Sequence, residues 1–345
     1  MTTQLVDSFG RHINYVRLSV TDRCDLRCVY CMSNTVQFLP RDQLLTLEEL
    51  VRLGRCFTAL GVRHFRITGG EPLLRRNVLW LIAQLNTLGS DHQLTLTTNG
   101  TQLARHALAL KAAGIARINI SLDSLQPARF RQLTRCGDLN QVIAGIDAAL
   151  AAGFQRIKLN SVIVADYNTD EVFDLAAFAI ARGLDLSFIE KMPLGAELME
   201  RNETANESAL DYYPSATIRN RLIQQFELLP TTETTSGPAR YWRVAGTQTR
   251  IGFISPRSHN FCERCNRMRV TATGQLLPCL GQRDLGIDLR AILRANPNDD
   301  APILHAICAA VAMKPKAHGF DTGNQQPPEL SETAPPICTM NRIGG

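Results

Sequence analysis

From Asn14 to Met192 short apolar runs alternate with amphipathic stretches. The runs at residues 15–20, 64–68, 93–98, 117–122, 156–164 and 185–190 are rich in aliphatic and β-branched side chains and read as strands. Between them, helical spacing is clearest at Leu139, Val142, Ile143, Ile146 and Leu150. Thr46 with Glu49 three residues on predicts a capping box at a helix start. Gly61, Gly89, Gly114, Gly153 and Gly183 each fall where a helix should stop and turn back into a strand. Six βα units in series predict an α/β fold with a parallel sheet and helices outside it. Periodicity leaves open whether that sheet is flat or curled.

The pattern then changes. Residues 202–238 are polar, with Thr231-Thr-Glu-Thr-Thr-Ser236-Gly-Pro238 as a linker, so the boundary is placed between residues 1–230 and 231–345. Residues 241–245 and 249–254 predict a hairpin beyond it. With 345 residues, 45% of them hydrophobic, the chain can bury a large core. The first ten residues have neither a basic start nor an apolar run, and no stretch approaches membrane-spanning length, so a cytoplasmic protein is the expectation. Ten cysteines in that setting point to metal binding rather than disulfides. The net charge of +5 suits an anionic small molecule and argues for neither a nucleic acid nor a membrane partner.

The cysteine spacing sharpens this. Cys24-Asp-Leu-Arg-Cys28-Val-Tyr30-Cys31 is C-x3-C-x2-C, three thiolates on one short loop after the first strand. Such a set can hold three irons of a cubane cluster and leave the fourth open to a small molecule. A zinc site is the alternative, but no fourth Cys or His follows closely enough to close a tetrahedron. Polar residues gather where the other strands should end: Thr68-Gly69-Gly70-Glu71-Pro72, Thr97-Thr98-Asn99-Gly100, Ser121-Leu-Asp123-Ser124, Lys158 and Asn160, and Glu190-Lys-Met192-Pro193. Two adjacent glycines would leave backbone carbonyls open to a ligand ammonium group.

A second set, Cys262, Cys265 and Cys279, follows the hairpin as C-x2-C-x13-C. Zinc competes evenly here, with His259 as a fourth donor. Arg267 and Arg269 alternate with Met268 and Val270, so on a strand both guanidinium groups face one way and form an anion clamp suited to a polyphosphate. No Walker-type loop is present. Cys308 falls in an apolar helical pattern and reads as core, Cys338 is a further candidate ligand, and Cys56 and Cys136 read as structural. The last residues, Arg342, Gly344 and Gly345, could form a thin charged finger reaching into a crowded pocket.

With both cysteine sets, the Thr68–Pro72 turn, the Cys265–Arg269 run and the Gly-Gly end, the sequence resembles the MoaA family of radical S-adenosylmethionine (SAM) enzymes. These are the GTP 3′,8-cyclases of molybdenum cofactor biosynthesis. The resemblance implies a partial (β/α)6, TIM-like radical SAM barrel with a C-terminal iron–sulfur subdomain. It implies two [4Fe–4S] clusters, one on Cys24, Cys28 and Cys31 with SAM and one on Cys262, Cys265 and Cys279 with substrate. SAM contacts would be Tyr30, Gly70, Ser121 and Met192; GTP contacts would be Arg17, Arg66, Thr97, Lys158, Arg267, Met268 and Arg269. Arg17, Arg267, Arg269, Arg342, Gly344 and Gly345 are implied in catalysis. SAM cleavage would yield a 5′-deoxyadenosyl radical that takes hydrogen from C3′ of GTP, and the sugar radical would close onto C8. Implied partners are a flavodoxin- or ferredoxin-type electron donor and a MoaC-like cyclic pyranopterin monophosphate synthase downstream, and a homodimer is compatible. The alternative is another two-cluster radical SAM enzyme, such as a peptide-modifying maturase.

Overall fold

The computed structural model describes residues 4–33, 36–192, 212–233, 235, 237–282, 285–320 and 340–343, with the side chains of 342 and 343 excepted. Six strands, β1 (Tyr15–Ser19), β2 (His64–Thr68), β3 (Gln93–Thr98), β4 (Ile115–Ser121), β5 (Ile157–Ile163) and β6 (Asp185–Glu190), pair in chain order and all in parallel. They match the six apolar runs to within two residues. On the helix-covered face they place apolar side chains such as Val16, Leu18, Phe65, Ile67, Leu94, Leu96, Ile118 and Ile120, which made them legible, while the alternate positions face the cavity described below.

Ten helices are described: α1 (Leu47–Ala59), α2 (Val78–Asn86), α3 (Leu103–Ala112), α4 (Pro127–Thr134), α5 (Leu139–Ala151), α6 (Val172–Ala181), α7 (Ser215–Leu222), α8 (Leu289–Ala295), α9 (Ala301–Ala312) and α10 (Met340–Ile343). The capping box forms, with Glu49 N–H donating to Thr46 Oγ1 at 3.1 Å and Thr46 N–H to Glu49 Oε2 at 2.8 Å. Gly61, Gly114, Gly153 and Gly183 close their helices in the left-handed region, where a side chain would be strained. Gly89 lies in the α2–β3 connection without needing that conformation. In α5, Leu139, Val142 and Ile146 are buried against the sheet, as their spacing requires.

The later strands extend this sheet at both edges. β8 (Arg240–Val244) and β9 (Arg250–Ile254) form the expected hairpin, and β9 pairs in parallel with β6. β10 (Arg267–Val270) pairs in parallel with β1. The short β7 (Leu228–Pro230), β11 (Gln275–Leu277) and β12 (Ile287–Asp288) complete the order β12-β11-β10-β1-β2-β3-β4-β5-β6-β9-β8-β7. Side chains from both ends of the eight-strand parallel run, Arg267 of β10 and Ile254 of β9, line one cavity with residues of every strand between them. One face of the sheet therefore wraps around that cavity, and the sheet is curled.

One cysteine reading needs correction. Cys308 is exposed, because α9 turns Ile303, Ile307 and Val311 inward and carries the residue after Ile307 to the outer face. Cys136 is exposed too, its thiol donating to the Asp25 carbonyl at 3.2 Å. Cys56 is buried in the core as expected.

Candidate active site

The loop carrying Cys24, Cys28 and Cys31 is held in place by the turn after β2. Gly70 N–H donates to the Thr21 carbonyl at 2.8 Å, and Glu71 N–H to that of Arg23 at 2.7 Å. A Cβ at Gly69 would lie 2.7 Å from the Thr21 oxygen, and one at Gly70 would run into the Arg23 oxygen. The paired glycines are thus required for the cysteine loop to lie on this turn, a role additional to exposing carbonyls. Glu71 is buried and accepts from Thr98 Oγ1 at 2.8 Å and Asn99 N–H at 2.7 Å; burial pushes its carboxyl up to about 7. Asn99 Nδ2 and Thr101 Oγ1 each donate to Asp25 of the cysteine loop at 2.7 Å.

Tyr30 turns its hydroxyl to Asp123 Oδ2 at 2.6 Å, and Val162 N–H donates to Asp123 Oδ1 at 2.8 Å. Burial raises Asp123 to about 6 and pushes Cys24 and Cys31 up to about 12, and it raises Cys28 as well. Bare thiolates are costly when buried beside Asp25, Glu71 and Asp123, and a strong local positive charge such as bound iron would hold all three ionised. That fits a cluster-binding loop. α10 reaches the same loop, where Asn341 Nδ2 donates to the Asp22 carbonyl at 2.9 Å and its backbone N–H bonds to Cys31.

The inner face of the curled sheet carries the charge. In register across three parallel strands stand Arg269, Arg17 and Arg66, and beside them Arg267, Tyr15 and His64. Arg17, Arg66, Thr97, Lys158, Arg267 and Arg269 all line the cavity together with Cys262, Cys265 and Cys279. The sequence-derived nucleotide contacts and second cysteine set therefore converge. Met268 is the exception. It is fully buried in the core on the opposite face, so its side chain does not line the cavity. Met192 lines the cavity, whereas Tyr30, Gly70 and Ser121 lie at the first cysteine loop or at strand ends outside it. Gly344, Gly345 and the side chain of Arg342 are outside the described residues, as is Cys338.

Alternation along the strands adds residues that the sequence reading missed. Tyr15 precedes Arg17 by two, and Arg117 and Asn119 share the inner face of β4. Lys314 also lines the cavity, donating to the carbonyls of Arg267 at 2.9 Å and Pro278 at 2.6 Å. Seven cations line the cavity with no Asp or Glu among the described lining residues. Burial and the charge of Arg269 hold Arg17 well below the usual arginine range; burial and Arg267 bring Arg269 down to about 10. Burial also lowers Lys158 and Lys314. Burial alone would raise Tyr15, but Arg66, Arg17 and Arg267 bring its phenol down to about 8, and Arg66 Nε donates to its oxygen.

The two cysteine sets differ in environment. Although burial opposes it, Arg267 and Lys314 bring Cys265 down to about 6. Cys262 accepts from His318 N–H at 3.4 Å. His259, the fourth zinc donor considered above, is exposed and does not line the cavity. Among the described residues no three His, Cys, Asp or Glu side chains converge on a single ion position. Thiolates on separate irons of a cubane need not converge in that way.

Two family models cover most of the chain: the Radical SAM superfamily over residues 18–179 and Molybdenum Cofactor Synthesis C over residues 184–320. A GTP 3′,8-cyclase of Ectopseudomonas mendocina is 54% identical over 94% of this chain and 96% of its own. One from Saccharophagus degradans is 50% identical over 99% and 98%. Among solved structures, Streptococcus suis SuiB bound to its precursor peptide SuiA is similar at a TM-score of 0.60 and 15% identity, covering 91% of this chain and 76% of that one. SuiB shares the fold.

Proposed function

The chain belongs to the radical SAM GTP 3′,8-cyclases, which carry out the first step of molybdenum cofactor biosynthesis, and we propose how its residues divide that work. Cys24, Cys28 and Cys31 hold one [4Fe–4S] cluster, with SAM against Tyr30, Gly70, Ser121 and Met192. Cys262, Cys265 and Cys279 hold a second. Residues 1–230 then carry the SAM half of the site and residues 231–345 the second-cluster half. A cluster and SAM held there would supply, on one-electron reduction, the radical chemistry that takes hydrogen from the ribose.

The observation that carries the assignment of substrate is the Arg269–Arg17–Arg66 row. Three guanidinium groups side by side on parallel strands repel one another, and burial worsens this. A triphosphate reverses the balance, since its oxygens accept from forked donors and neutralise the row. Arg267, Lys158 and Thr97 extend the clamp along the cavity wall. Tyr15 holds Arg66 from one side, while Thr97 Oγ1 accepts from Arg66 Nη1 at 3.1 Å. The backbone at Met268 keeps Arg267 and Arg269 pointing the same way. Arg342, Gly344 and Gly345 are assigned a part in catalysis by the family resemblance, and α10, which immediately precedes the two glycines, lies against the first cysteine loop.

An external flavodoxin- or ferredoxin-type donor supplies the electron, and a MoaC-like synthase consumes the product. A cytoplasmic setting suits both, and among the described residues no helix is long and apolar enough to cross a membrane. A homodimer would leave this site within each chain. The test is incubation of reduced, reconstituted protein with SAM and GTP, followed by product analysis. Cyclised nucleotide with 5′-deoxyadenosine is expected; 5′-deoxyadenosine alone would refute the substrate assignment.

A further inference from the structure

Asn119 stands on the inner face of β4 and lines the cavity. It is 5% exposed, and its Oδ1 is buried with no hydrogen-bond partner. Such an acceptor is expensive to leave unmet. In register it lies beside Thr97 of β3 on one side and Lys158 of β5 on the other. Lys158 directs its ammonium group to Tyr241 Oη at 3.4 Å. Two residues further along, β4 ends at Ser121, and two beyond it Asp123 accepts from Tyr30 of the first cysteine loop at 2.6 Å.

An acceptor at this point selects which part of GTP it meets. A triphosphate near neutral pH offers acceptors and belongs with the cations. The donors on the nucleotide are the ribose hydroxyls and the N–H groups of guanine. The new bond joins C3′ to C8, so the ribose has to lie directly below the layer that holds SAM, and Asn119 occupies that depth. We propose that Asn119 Oδ1 accepts a hydrogen bond from a ribose hydroxyl of GTP, positioning the sugar for attack and selecting for nucleotides that carry that hydroxyl. This rests on SAM lying at the C-terminal ends of the strands. A site built to pair a hydroxyl strongly rejects the analogue lacking it, because its own buried polar group is then left unmet.

The test is equilibrium binding of GTP, 2′-deoxy-GTP, 3′-deoxy-GTP and inosine triphosphate to anaerobically reconstituted protein, for the wild type and Asn119→Ala. The wild type should bind one of the two deoxy analogues about tenfold to a hundredfold more weakly than GTP. Asn119→Ala should weaken GTP by a similar factor yet leave that analogue unchanged, so the difference between them collapses. A collapse seen with inosine triphosphate instead would place the contact on the base and overturn the proposal. Equal weakening of every nucleotide, or no change at all, would also overturn it. If Asn119→Ala does not fold, Asn119→Ser supports the same comparison. Separately, a Ser121→Ala variant with unchanged SAM affinity would remove the assumed position of SAM, an outcome readable apart from the nucleotide differences.

Discussion

Arg11 donates through Nη1 to the carbonyl oxygen of Cys262 at 2.7 Å, joining residues 251 apart in sequence. The same guanidinium donates to the carbonyls of Lys316 at 3.0 Å and Pro315 at 2.6 Å and pairs with Asp7 at 2.6 Å. One buried arginine from the start of the chain thus fixes the second cysteine loop and the segment carrying Lys314. Replacing it by Met leaves the buried Asp7 with its backbone N–H donors but without its counter-charge, at a cost of up to about 3–5 kcal/mol. Reconstituted Arg11→Met should hold about four irons per chain where the wild type holds about eight. Equal iron in the two proteins would contradict the role given to Arg11.

The same pair sets a pH dependence. Burial opposes ionisation of Asp7, yet hydrogen bonds from the Arg11 and Phe9 N–H groups and the Arg11 charge hold it below its usual value of 3.8. A depressed carboxylate adds stability that is present above the unfolded value and is lost as pH falls through the folded one. The stability gap between wild type and Asp7→Asn, followed by denaturant titration, should be largest near pH 6 and close below about pH 4. A gap that widened on acidification would show that Asp7 is not held ionised.

Gly70→Ala should separate the two halves of the site. The added methyl meets the Arg23 carbonyl, a backbone atom that cannot swing aside. Overpacking of this kind costs about 1–3 kcal/mol, so the chain should still fold. Its SAM affinity should drop by about tenfold or more while GTP affinity changes little, both read by calorimetry. Parallel losses of both ligands would mean that the turn supports the whole cavity.

Crowded cations should trade stability for binding. Arg269→Leu removes one charge from the Arg269–Arg17–Arg66 row, so the ligand-free protein should melt a few degrees higher, an effect of about 1 kcal/mol. Its GTP affinity should fall by about a hundredfold, with SAM affinity preserved. A lower melting temperature without ligand would argue that the row is stabilised by its own surroundings.

Truncation at Ile343 tests the C-terminal reading. Removing Gly344 and Gly345 should leave SAM cleavage intact and block cyclisation, seen as 5′-deoxyadenosine released without cyclised nucleotide. Full cyclisation by the truncated enzyme would refute it.

The six central strands and both cysteine triplets were legible because each is encoded locally, by apolar runs in one case and thiol spacing in the other. The curl of the sheet was not encoded that way and came only from the family resemblance. It depends on β9 finding β6 and on the four residues of β10 finding β1, pairings set by tertiary contact rather than by any local pattern. Within the site, Arg267 was found through strand alternation and Arg17 through the family resemblance, while Tyr15 and Asn119 belong to no motif. Alternation could have found them, since each lies two residues from a side chain already assigned. Arg11 and Lys314 carry no such signal; their roles arise only when distant segments meet. Cys308 was misread because apolar neighbours in sequence were taken for neighbours on one helix face.

The late arrival of β10 also bears on how the chain is made. β1 leaves the ribosome early, but its outer edge stays unpaired until residues 267–270 have been synthesised. At 5–20 residues per second, about 250 residues take roughly ten to fifty seconds. Throughout that interval an apolar strand edge can recruit another nascent chain. Rapid overproduction should therefore favour insoluble protein, and slower translation should rescue it, because the last strand needed to seal the sheet is among the last to be made.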